Sequence, residues 1–158
     1  GPRALHLCAN VNLPYLLELG VELLSFDAYQ MEVMPKGYAT YVAEFLNGGG
    51  AIAWGIVPTD SENLGKGTPE TLARLLIGYW DVVSQQTGLA LRQIAVQALI
   101  APARCCLKNI GQVGAADEVR SQMVEASQPS SIEERLVERA FSYLGLISSI
   151  LREEYGLS

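Results

Sequence analysis

Short apolar runs alternate with amphipathic stretches along this chain, and that rhythm restricts its fold more than any single motif. Arg3 to Cys8 reads as a short strand. Asn12 to Leu19 reads as a helix, with Asn12 as N-cap, Pro14 in the first turn and Gly20 as stop. Val21 to Phe26 is a second strand that ends in Asp27. Lys36 to Leu46 places Tyr38, Tyr41, Val42, Phe45 and Leu46 at helical spacing, and Gly48-Gly49-Gly50 ends it. Ala51 to Val57 is a third strand, apolar on both faces as in parallel sheets.

The loop Pro58 to Gly67 is long and polar, with Asp60, Glu62 and Lys66 as a solvated face. Thr68-Pro69-Glu70 starts a helix with Leu72, Leu75, Leu76, Tyr79 and Val83 on one side, closed by Gly88. Ile94 to Ile100 reads as a fourth strand, followed by a loop holding Cys105 and Cys106. A short helix is expected from about Ala116 to Glu125, then a break at Gln128 to Ser130. Ser131-Ile132-Glu133-Glu134 has the form of a capping box. It opens a last helix whose stripe is Leu136, Val137, Ala140, Phe141, Leu144 and Ile147, stopped by Gly156. Trp54 and Trp80 read as core.

This is an α/β chain of four βα units. Right-handed crossovers put its strands parallel with the helices outside. A TIM (β/α)8 barrel needs eight such units, so residues 1–158 read as a single half-barrel domain. Gly1-Pro2 has the look of a cloning remnant. Four parallel strands alone would leave two apolar edges. The expected remedies are assembly with a second copy, pairing with another chain, or membership of a longer protein. A small open α/β sheet is the simpler alternative.

In parallel α/β folds, chemistry gathers at the C-terminal ends of the strands. Here those ends carry His6 and Cys8, then Asp27, then Val57-Pro58-Thr59, then Cys105 and Cys106. His6 is the only histidine. In a strand, His6 and Cys8 project to one side. Two cysteines and a histidine with a displaceable fourth ligand make a Lewis-acid zinc site. Adjacent Cys105 and Cys106 cannot easily bind one ion together, so one of them packs. A thiol entering such a site loses its proton and stays nucleophilic, because two thiolates already make the metal electron-rich. That favours attack of sulfur on an alkyl group over hydrolysis. The plainer reading is that a cysteine here is a small buried hydrophobe and Asp27 a cap.

The phosphate-binding fingerprints G-x-G-x-x-G and G-x-x-x-x-G-K-[ST] are absent, and Gly48-Gly49-Gly50 is a turn. Net charge is −6 with no basic stripe, which argues against nucleic acid and anionic membranes. No run is long and apolar enough to span a bilayer. Three cysteines make a poor disulfide framework and suit a reducing cytoplasm.

The stretches LHLCAN, LGVELLSFDAYQ, AIAWGIVPT and LIAPARCCLKNIG resemble the C-terminal part of the cobalamin-independent methionine synthase family. Its barrel superfamily also includes uroporphyrinogen decarboxylase. The resemblance runs from His6 to the last helix. It implies a cytoplasmic, zinc-dependent methyltransferase of methionine biosynthesis, with Zn²⁺ held by His6, Cys8, Asp27 and Cys105. It prefers Cys105 over Cys106, because Cys105-Cys106-Leu107-Lys108 aligns with a Cys-Gly-Leu-Lys turn. The implied substrate is a thiol such as homocysteine, and the methyl donor a folate or a methyl-corrinoid.

The chain departs from the family at three points. Glutamate usually stands where Asp27 does. Ala103 and Arg104 occupy a turn where one residue is usual. Val57-Pro58-Thr59 lacks the histidine of the folate-dependent members, which leans the donor away from folate. Most of the family's grip on the amino acid lies in the other half-barrel. Two further expectations are a non-catalytic half-barrel that assembles with itself or with an N-terminal partner, and a metal-free decarboxylase-like relative.

Overall fold

The computed structural model describes residues 1–7, 20–31, 33–35, 37–104 and 129–157, with side chains in the last stretch from Glu134 onward. Its elements run β1 (Ala4–Leu7), β2 (Leu23–Asp27), a 3-10 turn (Tyr29–Met31), α1 (Tyr38–Asn47), β3 (Ala51–Val57), α2 (Ser61–Lys66), α3 (Pro69–Thr87), α4 (Leu91–Val96), β4 (Ala98–Pro102) and α5 (Pro129–Glu154). The four strands form one parallel sheet in chain order, β1-β2-β3-β4. Among the described residues no helix is long and apolar enough to cross a membrane.

Local chemistry sets the boundaries. The Thr68 hydroxyl accepts from the Thr71 amide, the Thr71 hydroxyl accepts from the Thr68 amide, and Pro69 occupies the first turn of α3. Gly88 ends α3 in the left-handed conformation, at φ 73°. Gly50 has no room for a side chain: a Cβ there would lie 2.5 Å from the Phe45 ring.

Three expectations need correction. The polar segment after β3 is not all loop. Asp60 accepts from the Asn63 amide at 2.8 Å and caps the short helix α2. Ile94 to Ile100 is not one strand. Ile94 and Ala95 are consecutive and both buried, and with Leu91 they form one face of α4. The chain becomes a strand only at Ala98, after Gln97 Nε2 donates to the Leu46 and Gly50 carbonyls at 2.8 and 2.7 Å. A short apolar run does not by itself distinguish the two periods.

The last helix begins at Pro129 rather than at the box on Ser131. Among its described side chains the buried ones are Ala140, Ile147 and Leu151, and Phe141 is 61% exposed. Phe141 sits one residue, and so about 100° of helix rotation, beyond that stripe. The expected helices at 12–19 and 116–125 lie outside the described residues.

The two faces of the sheet differ. Leu5, Leu7, Leu24, Phe26, Ile52, Trp54, Ile56 and Ile100 belong to the apolar cluster shared with α1, α3 and α5. Trp54 and Trp80 are 0% and 1% exposed and meet edge-on at 6.1 Å, so both tryptophans are core. The alternate row runs through His6, Ser25, Ala53 and Leu99 in register. None of those four is in that cluster. Helices therefore cover one face of the sheet, and the row carrying His6 lies on the other.

Candidate metal centre at the strand ends

His6 sits on β1 and Asp27 on the last position of β2. Ser25 is the register partner of His6, and Asp27 lies two residues beyond Ser25. All three side chains therefore belong to the face that no described helix covers. Two residues of rise and one strand spacing put the His6 and Asp27 Cα atoms about 8 Å apart. Side chains of this length can converge on one ion from that separation.

The His6 Nδ1 atom is 3.0 Å from Ser25 Oγ. A metal-binding histidine characteristically uses its second ring nitrogen in such a hydrogen bond, which fixes the ring and leaves the other nitrogen for the ion. His6 and Ser25 fit that pattern.

Asp27 already has partners. Its Oδ1 accepts from the Gln30 amide at 3.1 Å and its Oδ2 from Arg104 Nε at 3.3 Å. Arg104 Nη2 also donates to Gln30 Oε1. The Asp27 side chain is 15% exposed and the Arg104 side chain 57%. Sequence reading marked Arg104 only as an extra residue in the turn. It missed Ser25 and Gln30, although Ser25 shares the strand parity of Asp27.

A cleft of about 210 Å³ opens beside this group. The ends of three strands build it: Asp27 and Gln30 after β2, Pro58 to Asp60 after β3, and Ala103 and Arg104 after β4. Burial alone would push the Asp60 carboxyl up. The Asn63 side-chain and backbone donors outweigh that and hold it below its ordinary value, with Lys66 adding to the effect. Glu62 and Lys66 pair on the exposed side of α2, as expected of a solvated face.

Gly55 permits the cleft's geometry. A Cβ there would meet Phe26 O at 2.6 Å, Ala103 Cα at 3.0 Å and Pro102 O at 3.1 Å. The Gly55 carbonyl accepts from the Ala28 amide, and the Val57 carbonyl from the Ala103 amide. These bonds draw the ends of β2 and β4 onto β3, and Arg104 meets Asp27 across it.

Of the four expected ligands, His6 and Asp27 are brought to one face. Cys8 and Cys105, with the competitor Cys106, lie outside the described residues. Among the described residues no three histidine, cysteine, aspartate or glutamate side chains group to hold a metal. No family model, curated protein or solved structure matches the chain.

Proposed function

We propose that this chain is half of a TIM-type barrel bearing a zinc site, which readies a thiol such as homocysteine for methylation. The supporting observation is that His6 and Asp27 share the sheet face that no described helix covers, with His6 steadied by Ser25. His6, Cys8 and Cys105 would hold the ion, and Asp27 would be a ligand or a displaceable partner. Bound zinc would supply a Lewis acid that keeps the thiol deprotonated near neutral pH. His6 would direct its free nitrogen at the ion, and Ser25 would fix the ring. The cleft between Asp27, Thr59 and Arg104 would admit the substrate. Thr59, two residues after β3, supplies no imidazole proton donor, which favours a methyl-corrinoid over a folate as donor. The sparse cysteines support a reducing, cytoplasmic setting.

Metal analysis of the purified chain tests the reading. The wild-type chain should carry close to one Zn²⁺ per protein. Cys8→Ser and Cys105→Ser should lose most of it, and Cys106→Ser should lose little. Full zinc content in Cys8→Ser would refute the site. Equal loss in Cys106→Ser would transfer the ligand role to that residue.

A second reading has its own support. Among the described residues, β1 and β4 each pair on one side only, and one sheet face carries no helix. A half-barrel that docks a second copy or an N-terminal partner would bury both features. Its mark is a zinc-bearing dimer by light scattering that has no affinity for thiols.

A further inference from the structure

We propose that the hollow between α4, β4 and α5 binds a small amphipathic anion: an apolar body carrying a carboxylate or phosphate head. The hollow holds about 510 Å³, a size usual for small-molecule sites. It lies along the first residues of β4, Ala98 to Ile100, whereas the Asp27 cleft opens past the other ends of the strands. The two share no lining residue, so the proposal stands apart from the zinc reading.

The floor is apolar. Trp80, Ala95 and Leu151 line it and are buried. Ala95 and Ala98 present only methyl groups, which leaves volume that longer side chains would fill. Among the described residues five large apolar side chains are exposed, and two of them, Val96 and Leu99, line this hollow. An apolar ligand body would take both from water.

The rim is cationic. Arg92 enters from α4. Arg152 and Ser148 enter from α5, four residues apart and so on one face of the helix. No lining residue is acidic, although the chain carries a net charge of −6. Among the described residues neither arginine is in an ion pair; the pairs there are Lys66–Glu62 and Arg104–Asp27. A guanidinium offers paired N–H donors that match carboxylate or phosphate oxygens. A bare anion would leave the floor wet, and a neutral apolar molecule would leave both arginines unmatched. A ligand with a tail and an anionic head satisfies floor and rim together.

Calorimetric titration of the full chain tests this with octanoate, octyl phosphate and octanamide. At least one of the two anions should bind with a Kd of about 1 mM or tighter, and the tighter of them identifies the head. Octanamide should bind about ten-fold more weakly or worse, since it loses both charge-assisted contacts. Shortening octanoate to hexanoate should weaken binding about five- to fifteen-fold through two lost methylenes. Arg92→Gln and Arg152→Gln should each cost about three- to ten-fold, the lower end reflecting solvent exposure. Arg74→Gln, an exposed site on α3 outside the hollow, should stay within about two-fold of wild type.

Equal affinity for octanoate and octanamide, or wild-type affinity when Arg92 and Arg152 are both replaced, would overturn the anion site. No heat from either anion at about 10 mM, ten times that Kd, would overturn the pocket altogether. The comparison of probes uses the wild-type chain alone, so it decides the matter even where a variant fails to fold.

Discussion

Replacing Gly55 with alanine should destabilise the chain, although alanine is ordinarily the better strand residue. The new methyl would sit 2.6 Å from Phe26 O and 3.0 Å from Ala103 Cα. Ordinary contact begins near 3.4 Å, so Phe26 O must retreat by the difference, about 0.8 Å. Both obstacles are backbone. β3 is hydrogen-bonded to β2 on one side and to β4 on the other, so no flexible side chain can absorb the shift. Overpacking of this kind costs about 1–3 kcal/mol. Removing glycine's backbone freedom returns about 0.5–1 kcal/mol. The net loss is about 0.5–2 kcal/mol. With a urea m-value of about 2 kcal/mol/M, the midpoint should fall by about 0.25–1 M.

Gly78→Ala is the control. Gly78 lies within α3, exposed, with nothing within 4 Å of its would-be Cβ. There alanine should stabilise by about 0.5–1 kcal/mol. Opposite signs from one chemical change would tie the loss to close approach of the strands. A Gly55→Ala midpoint at or above wild type would refute the tight contact. It would also remove the account of how Asp27 and Arg104 meet.

Asp60→Ala should cost about 1 kcal/mol through the lost cap on α2. The folded carboxyl titrates below its unfolded value of about 3.9, so its contribution is full above that pH and fades as pH falls through the folded value. Urea midpoints of the variant and the wild type should therefore differ at pH 6 and converge in strong acid; a constant gap would count against the cap. Tyr155 is pushed up to about 12 by burial, with Asp81 and Glu154 adding to it. Folding stability should accordingly decline as pH rises from about 10, the unfolded value, towards 12, and Tyr155→Phe should flatten that decline in alkaline unfolding curves. Ile147→Ala should cost about 2–5 kcal/mol, while Phe141→Ser should stay within about 0.5 kcal/mol of wild type. Comparable losses in thermal melts of these two variants would mean that α5 faces the core differently.

The parallel α/β class was legible in the sequence because it rests on hydrophobic rhythm. β3 matches its expected bounds, since Ala51 to Val57 is apolar throughout and flanked by Gly50 and Pro58. α3 matches because Thr68-Pro69 and Gly88 mark both ends. The rhythm fails where segments are short. Ile94-Ala95-Val96 satisfies a strand as readily as one turn of helix, and only the packed layer beneath selects the helix. α2 was hidden because its stability comes from the Asp60 cap rather than from an apolar stripe; Leu64 is its one buried residue.

At the site, Asp27 was legible as a strand end. Its tie to Arg104 was not, because the two are 77 residues apart and no periodicity links them. Ser25 was passed over for a similar reason. A serine in a strand has no signature until its neighbour across the sheet is known.

A sheet whose spatial order equals its chain order has a consequence for how such a chain can change in length. Among the described residues no strand is inserted between two earlier ones. A further strand–helix unit joined on the β1 or β4 side would break none of the ladder bonds among the described strands. Duplication of whole units is therefore a gentle route to a larger sheet. A single residue inserted inside β3 is not. It would turn every following side chain to the opposite face and move Trp54 or Ile56 out of the core. Growth by whole units and intolerance of single-residue insertions follow from the same topology.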